Sequence, residues 1–180
     1  MTLGQRALEE LKKLRLAEGT SSDFIKPGPA GSYLYEANSG DVALTIDVHS
    51  YDKYSFLVRS IAMRTSRDLD NKTSTTEYLQ EQADWLTKRL VYLLEGLRLV
   101  ELDELHAWAQ LRSEIPYDDE AALHYYEILL QGGTSLKFSR YCKERSRASR
   151  ATDPCHFDDQ TLSRVIDDLA KTLASNLREC

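Results

Sequence analysis

Between Val42 and Val48 the chain alternates without a break: Val42, Leu44, Ile46 and Val48 stand against Ala43, Thr45, Asp47 and His49. A period of two is the mark of a strand with one face covered and one face wet. Whatever else the chain does, it must supply a layer to cover that apolar row. The flanking runs extend the same pattern. Tyr33, Tyr35 and Ala37 precede a turn at Asn38-Ser39-Gly40, and Tyr54 to Met63 follows a turn over Ser50 to Lys53. Turns this short join antiparallel neighbours, because parallel strands need a long crossover.

Helical spacing supplies the cover. Leu3, Ala7, Leu8, Leu11 and Leu14 predict an amphipathic N-terminal helix stopped by Gly19, with a proline- and glycine-rich loop reaching Gly31. Ser74-Thr75-Thr76-Glu77 is a capping box, and Leu79, Ala83, Leu86, Leu90 and Leu93 continue from it at steps of three and four, predicting a central helix over Ser74 to Leu94. Trp85 and Tyr92 widen its apolar stripe beyond one face. A girdle that broad needs cover on more than one side, so Trp85, Leu86, Leu90, Tyr92 and Leu93 are expected contacts of a homodimer.

Alternation resumes after Gly96. Leu105, Ala107, Ala109 and Leu111 share one face, with His106, Trp108, Gln110 and Arg112 on the other. Ala121 to Gln131 and Thr134 to Lys143 flank Gly132-Gly133, a hairpin signal, because such turns need positive φ. Residues 144–156 read as a polar linker. Leu162, Val165, Ile166, Leu169 and Leu173 form a closing helix that Asp158 or Asp159 can cap. The expectation is a single α+β domain over 1–180: an antiparallel sheet of about five to six strands with N-terminal, central and C-terminal helices.

That order of helix, three strands, helix, three strands, helix is similar to the type III secretion chaperone-like fold. The resemblance covers most of the chain as a succession of elements. It implies a dimeric, non-catalytic binding protein that offers sheet and helix surfaces to a partner. The extra hairpin strand and the long loop before Gly31 depart from the pattern.

Composition narrows the function classes. A chain of 180 residues with 42% apolar and 29% charged residues can bury roughly 70% of its unfolded surface without a disulfide or metal staple. Its three cysteines lack paired spacing, no run approaches the ~20 apolar residues of a membrane span, and Met1 to Arg6 has no apolar leader core, so the expected location is the cytoplasm. Of the 23 basic residues, six lie between Lys137 and Arg150 beside a single acid. The remaining 17 bases and 28 acids give the rest of the chain a balance of −11. Such a body repels nucleic acid, and the basic stretch reads as a solvated linker.

Specific chemistries find little support. No phosphate loop, nucleophile elbow or zinc spacing occurs, and no cofactor is expected. The sharpest alternative is an enzyme that holds a divalent ion among Asp41, Asp47, Glu127 and Lys137 to act on a phosphate-bearing substrate. The leading expectation is a protein-binding or adaptor module whose partner surface is the polar side of the fourth strand: His106, Trp108, Gln110 and Arg112, with His124 and Tyr126 brought beside them by the next strand. Trp, Tyr and Arg are the side chains most concentrated at binding hot spots.

Overall fold

The computed structural model describes residues 1–16, 22–69 and 73–173. Among the described residues there are three α-helices: α1 (Leu3–Lys12), α2 (Thr75–Arg89) and α3 (Asp159–Thr172). The strands are β1 (Ile25–Pro27), β2 (Tyr33–Ser39), β3 (Val42–Tyr51), β4 (Ser55–Thr65), β5 (Leu97–Asp103), β6 (Trp108–Ser113), β7 (Tyr117–Asp118), β8 (Ala122–Gln131), β9 (Ser135–Glu144), β10 (Ala151–Thr152) and β11 (Cys155–Asp158). They form one 11-stranded antiparallel sheet whose main path runs β1-β2-β3-β4-β9-β8-β6-β5. The expected count of about five to six strands is thus overturned. Five strands make up the difference: β5 follows the central helix, β1 lies in the proline-glycine loop, β7 in the acidic turn, and β10 and the start of β11 in the stretch read as a linker.

Two further boundaries move. The central helix stops at Arg89 instead of Leu94: Leu90, its C-cap, has φ −85 and ψ 29. The chain then turns and enters β5 at Leu97, in a segment whose leucine spacing still mimics a helix. A hairpin also interrupts the run from Glu104 to Arg112. Asp103 accepts the backbone N–H of His106 at 2.9 Å, and Ala107 takes a positive φ of 53 before β6 begins.

The core follows directly from strand parity. Leu44, Ile46 and Val48 of β3, Ile61 and Met63 of β4, Leu136 and Phe138 of β9, Ile128 and Leu130 of β8, and Ala109 and Leu111 of β6 all turn to one side and are buried. There they meet Ala7 and Leu11 of α1, Leu79, Ala83 and Leu86 of α2, and Leu162, Val165, Ile166 and Leu169 of α3. All three helices lie on this inner face. The capping boxes Thr2 to Gln5 and Ser74 to Glu77 and the Asp158 cap fix where they start. Close approach of α1 to α3 depends on Gly4, where a Cβ would lie 2.0 Å from the Ser163 carbonyl oxygen.

At the centre of the sheet β4 and β9 pair only from Ser60–Arg64 to Ser135–Ser139. Beyond that they part, and β11 pairs with Ser55–Val58 of β4 while β10 pairs with Tyr141 and Cys142 of β9. The chain segment 151–158 is therefore a wedge that fills the split between the two halves. No helix among the described residues is long and apolar enough to cross a membrane.

Candidate functional site

Register decides which side chains share the outer face. Arg98, Arg112, Glu127, Ser139, Ser60 and Asp47 stand in one transverse row across β5, β6, β8, β9, β4 and β3. One step along, Gln110 lies between Glu101 and Leu129, and a step beyond that Trp108 lies between Asp103 and Gln131. No helix covers this row among the described residues.

Glu127 is the anchor of the face. It lies on the uncovered side, yet is only 1% exposed. Gln110 Nε2 and Arg112 Nε each donate to its Oε2 at 2.9 Å, and Arg150 donates to both oxygens, at 2.6 and 2.9 Å. A buried carboxylate survives because such bonds replace its lost hydration. Arg150 arrives from the loop after β9, stacks 3.7 Å over the Tyr141 ring and donates to the Tyr125 hydroxyl at 3.3 Å. Arg112 lies 5.4 Å from the centre of the Tyr125 ring. Glu127 and the two rings hold both guanidiniums in place, and their edges still meet solvent, with 38% of the Arg112 side chain and 34% of the Arg150 side chain exposed.

Around Glu127 the face carries an excess of positive charge, with Glu101 and Asp103 farther along β5. Two guanidiniums share one carboxylate, Lys137 is exposed on the same face of β9, and Arg98 stands directly opposite Arg112. Like charges in register repel, so this pair favours an anion between them.

The sequence-predicted residues divide. Trp108, Gln110 and Arg112 do lie together on this face. His106 sits in the β5–β6 turn, exposed, with Nδ1 2.8 Å from Asp103 Oδ2. His124 and Tyr126, expected beside Trp108, lie on the opposite face, because the residues paired across β6 and β8 put the odd-numbered positions of β8 outward. Tyr126 is 4% exposed and stacked on Phe138, and burial pushes its hydroxyl pKa upward. His124 is gripped by Asp153 at Nδ1, 2.8 Å, and Asp119 at Nε2, 3.1 Å. Burial pulls its pKa down, but the bonds to Asp153 and Asp119 outweigh that and hold it above the ordinary histidine value.

Four members of the outer cluster were not expected in the partner surface: Tyr125, Tyr141, Glu127, which the sequence offered as an ion ligand, and Arg150, which it placed in a solvated basic stretch. Tyr125 and Glu127 carry the alternation signal of β8 and were legible as an outward pair. Nothing local places Arg150 on Glu127, 23 residues away in sequence.

The residues expected at a dimer contact are used inside the chain. Leu86, Leu90 and Leu93 are buried in the core. Tyr92 donates to Asp168 at 3.0 Å beneath Arg164, and Trp85 packs against the core under Arg89. The broad girdle is therefore covered by the strands and α3, which removes the reason for giving it to a second copy.

The divalent-ion constellation does not assemble. Asp41 pairs with Arg67 at 2.9 Å, Glu127 is committed to its arginines, and Asp47 lies three strand spacings from Glu127, about 14 Å. Among the described residues no group of three or more His, Cys, Asp or Glu side chains could hold a metal ion. The basic stretch is largely engaged as well: Arg140 pairs with Glu95 and Asp153, Arg145 with Asp118, Arg147 with Glu144, and Lys143 with the Ala148 carbonyl.

Comparison with known proteins finds no family model, no curated protein and no solved structure that matches this chain.

Proposed function

We propose that this protein is a non-catalytic adaptor that holds an extended, acidic segment of a partner protein on the outer face of β6, β8 and β9. The observation that carries this reading is Glu127, buried on an otherwise uncovered face and fixing Arg112 and Arg150 beside Tyr125 and Tyr141. Held guanidiniums lose little freedom when they capture a carboxylate, and the flanking rings supply apolar contact. The acidic remainder of the molecule repels the same segment elsewhere and so confines it to the patch. With Cys142 and Cys155 both unpaired, a reducing compartment such as the cytoplasm belongs to the proposal.

The test uses a fluorescently labelled ten-residue peptide rich in glutamate, followed by anisotropy against a lysine-rich control. The wild-type chain should bind the acidic peptide in preference. Replacing Trp108→Ser and Arg112→Gln together should weaken capture at least tenfold, about 1.4 kcal/mol, while moving the melting temperature by no more than a few degrees. Unchanged affinity in that variant would remove the proposal.

A further inference from the structure

A second surface lies at the end of the sheet where β5 begins and β6 ends. Here a cleft of about 720 Å3 opens between the Leu90–Gly96 turn and the strap that joins β6 to β7. Three large apolar side chains stand around it, each turned to solvent: Leu94 is 86% exposed, Ile115 78% and Tyr117 57%. At its base Arg140 bonds Glu95 at 2.8 Å, and Glu95 accepts from Ser113 at 3.2 Å.

The strap is held at both ends. Glu114 donates its backbone N–H to the Gly96 carbonyl at 2.7 Å, Tyr117 pairs with His124 through β7, and Asp119 donates to the Ala122 carbonyl at 3.2 Å. Pro116 fixes φ between them, and the Tyr117 ring lies 5.8 Å from the His124 ring. Ile115 and Tyr117 are thus presented outward on a fixed frame. Exposed apolar chains gathered around one cavity of this size are the usual form of a binding site.

Charge names the occupant. Glu95, Glu114, Asp118, Asp119 and Glu120 all lie on or beside the strap. Arg140 answers Glu95, Arg145 answers Asp118 and His124 answers Asp119. Glu114 and Glu120 have no cationic partner among the described residues. We infer that this cleft docks a short amphipathic segment of a partner protein, one whose large apolar side chains are flanked by lysine or arginine. The site uses residues distinct from those of the outer face and has the opposite charge preference, which gives one molecule two docking surfaces for chemically different segments.

The probes are two labelled twelve-residue peptides with leucines at helical spacing, one filled with lysine and the other with glutamate. The leucine-lysine peptide should bind the full chain with a micromolar Kd. Ile115→Asp should weaken that binding at least tenfold, and Glu114→Lys should weaken it while strengthening the leucine-glutamate peptide. Both positions are exposed, and melting curves for each variant check that the fold is kept. Trp108→Ser with Arg112→Gln should leave the leucine-lysine affinity within twofold, which separates this site from the outer face. Equal binding of the two peptides, no binding of either, or an Ile115→Asp affinity equal to wild type would overturn the inference. So would sedimentation showing a dimer that Ile115→Asp disperses, since a second copy would then be the occupant.

Discussion

Glu127 shows how one buried charge can organise a surface. Left unpaired, a carboxylate this deeply buried would cost several kcal/mol; four hydrogen bonds from Gln110, Arg112 and Arg150 offset that and fix three side chains at once. His124 is the corresponding centre on the other face, set between Asp119, Asp153 and Cys142 and near Arg140. Because its folded pKa is raised, the imidazolium contributes stability that is complete below the unfolded value of about 6.5 and is lost as pH climbs through the higher folded value. The melting temperature of wild type relative to His124→Gln should therefore fall as pH rises across that range. A difference that stays flat with pH would mean that the two carboxylates do not hold the proton. The outward set Trp108, Gln110 and Arg112 was legible from alternation alone. The side on which His124 and Tyr126 lie was not, because it depends on pairing between β6 and β8, which the local pattern does not specify.

Elements were legible in proportion to their length and regularity. Val42 to Val48 sits inside β3, the Ser74 to Glu77 box opens α2, and Gly132-Gly133 joins β8 to β9, with φ of 58 and 68. Strands of two to four residues such as β1, β7, β10 and β11 contain too few alternations to register, and they exist because longer neighbours offer them open edges. β5 was hidden for two reasons: a bulge at Val100 breaks its period, and Leu90, Leu93 and Leu97 prolong the spacing of α2 past its actual end. The hairpin turn offers a graded test. A Cβ on Gly133 would meet Tyr78 Cδ1 at 2.8 Å and Leu69 Cδ1 at 3.1 Å, whereas one on Gly40, also at positive φ, meets nothing within 4 Å. Gly133→Ala should cost roughly 1–3 kcal/mol in urea titration and Gly40→Ala less. Equal losses would show that backbone strain alone sets the effect.

On the scale of the molecule, three helices pack on one face of the sheet, and among the described residues no helix covers the other. The apolar girdle of α2 is used within the chain, so sedimentation at micromolar concentration should return the mass of a single chain. A two-chain mass would show that some other surface pairs. The wedge at 151–158 ties the two lobes of the sheet to each other. Ser55–Val58 of β4 and Tyr141–Cys142 of β9 each meet it along their second edge. Those two margins close only when a keystone remote from β4 in sequence docks between them, a contact of high order that costs loop entropy before it repays it. Pulling that keystone out would bare both margins at once.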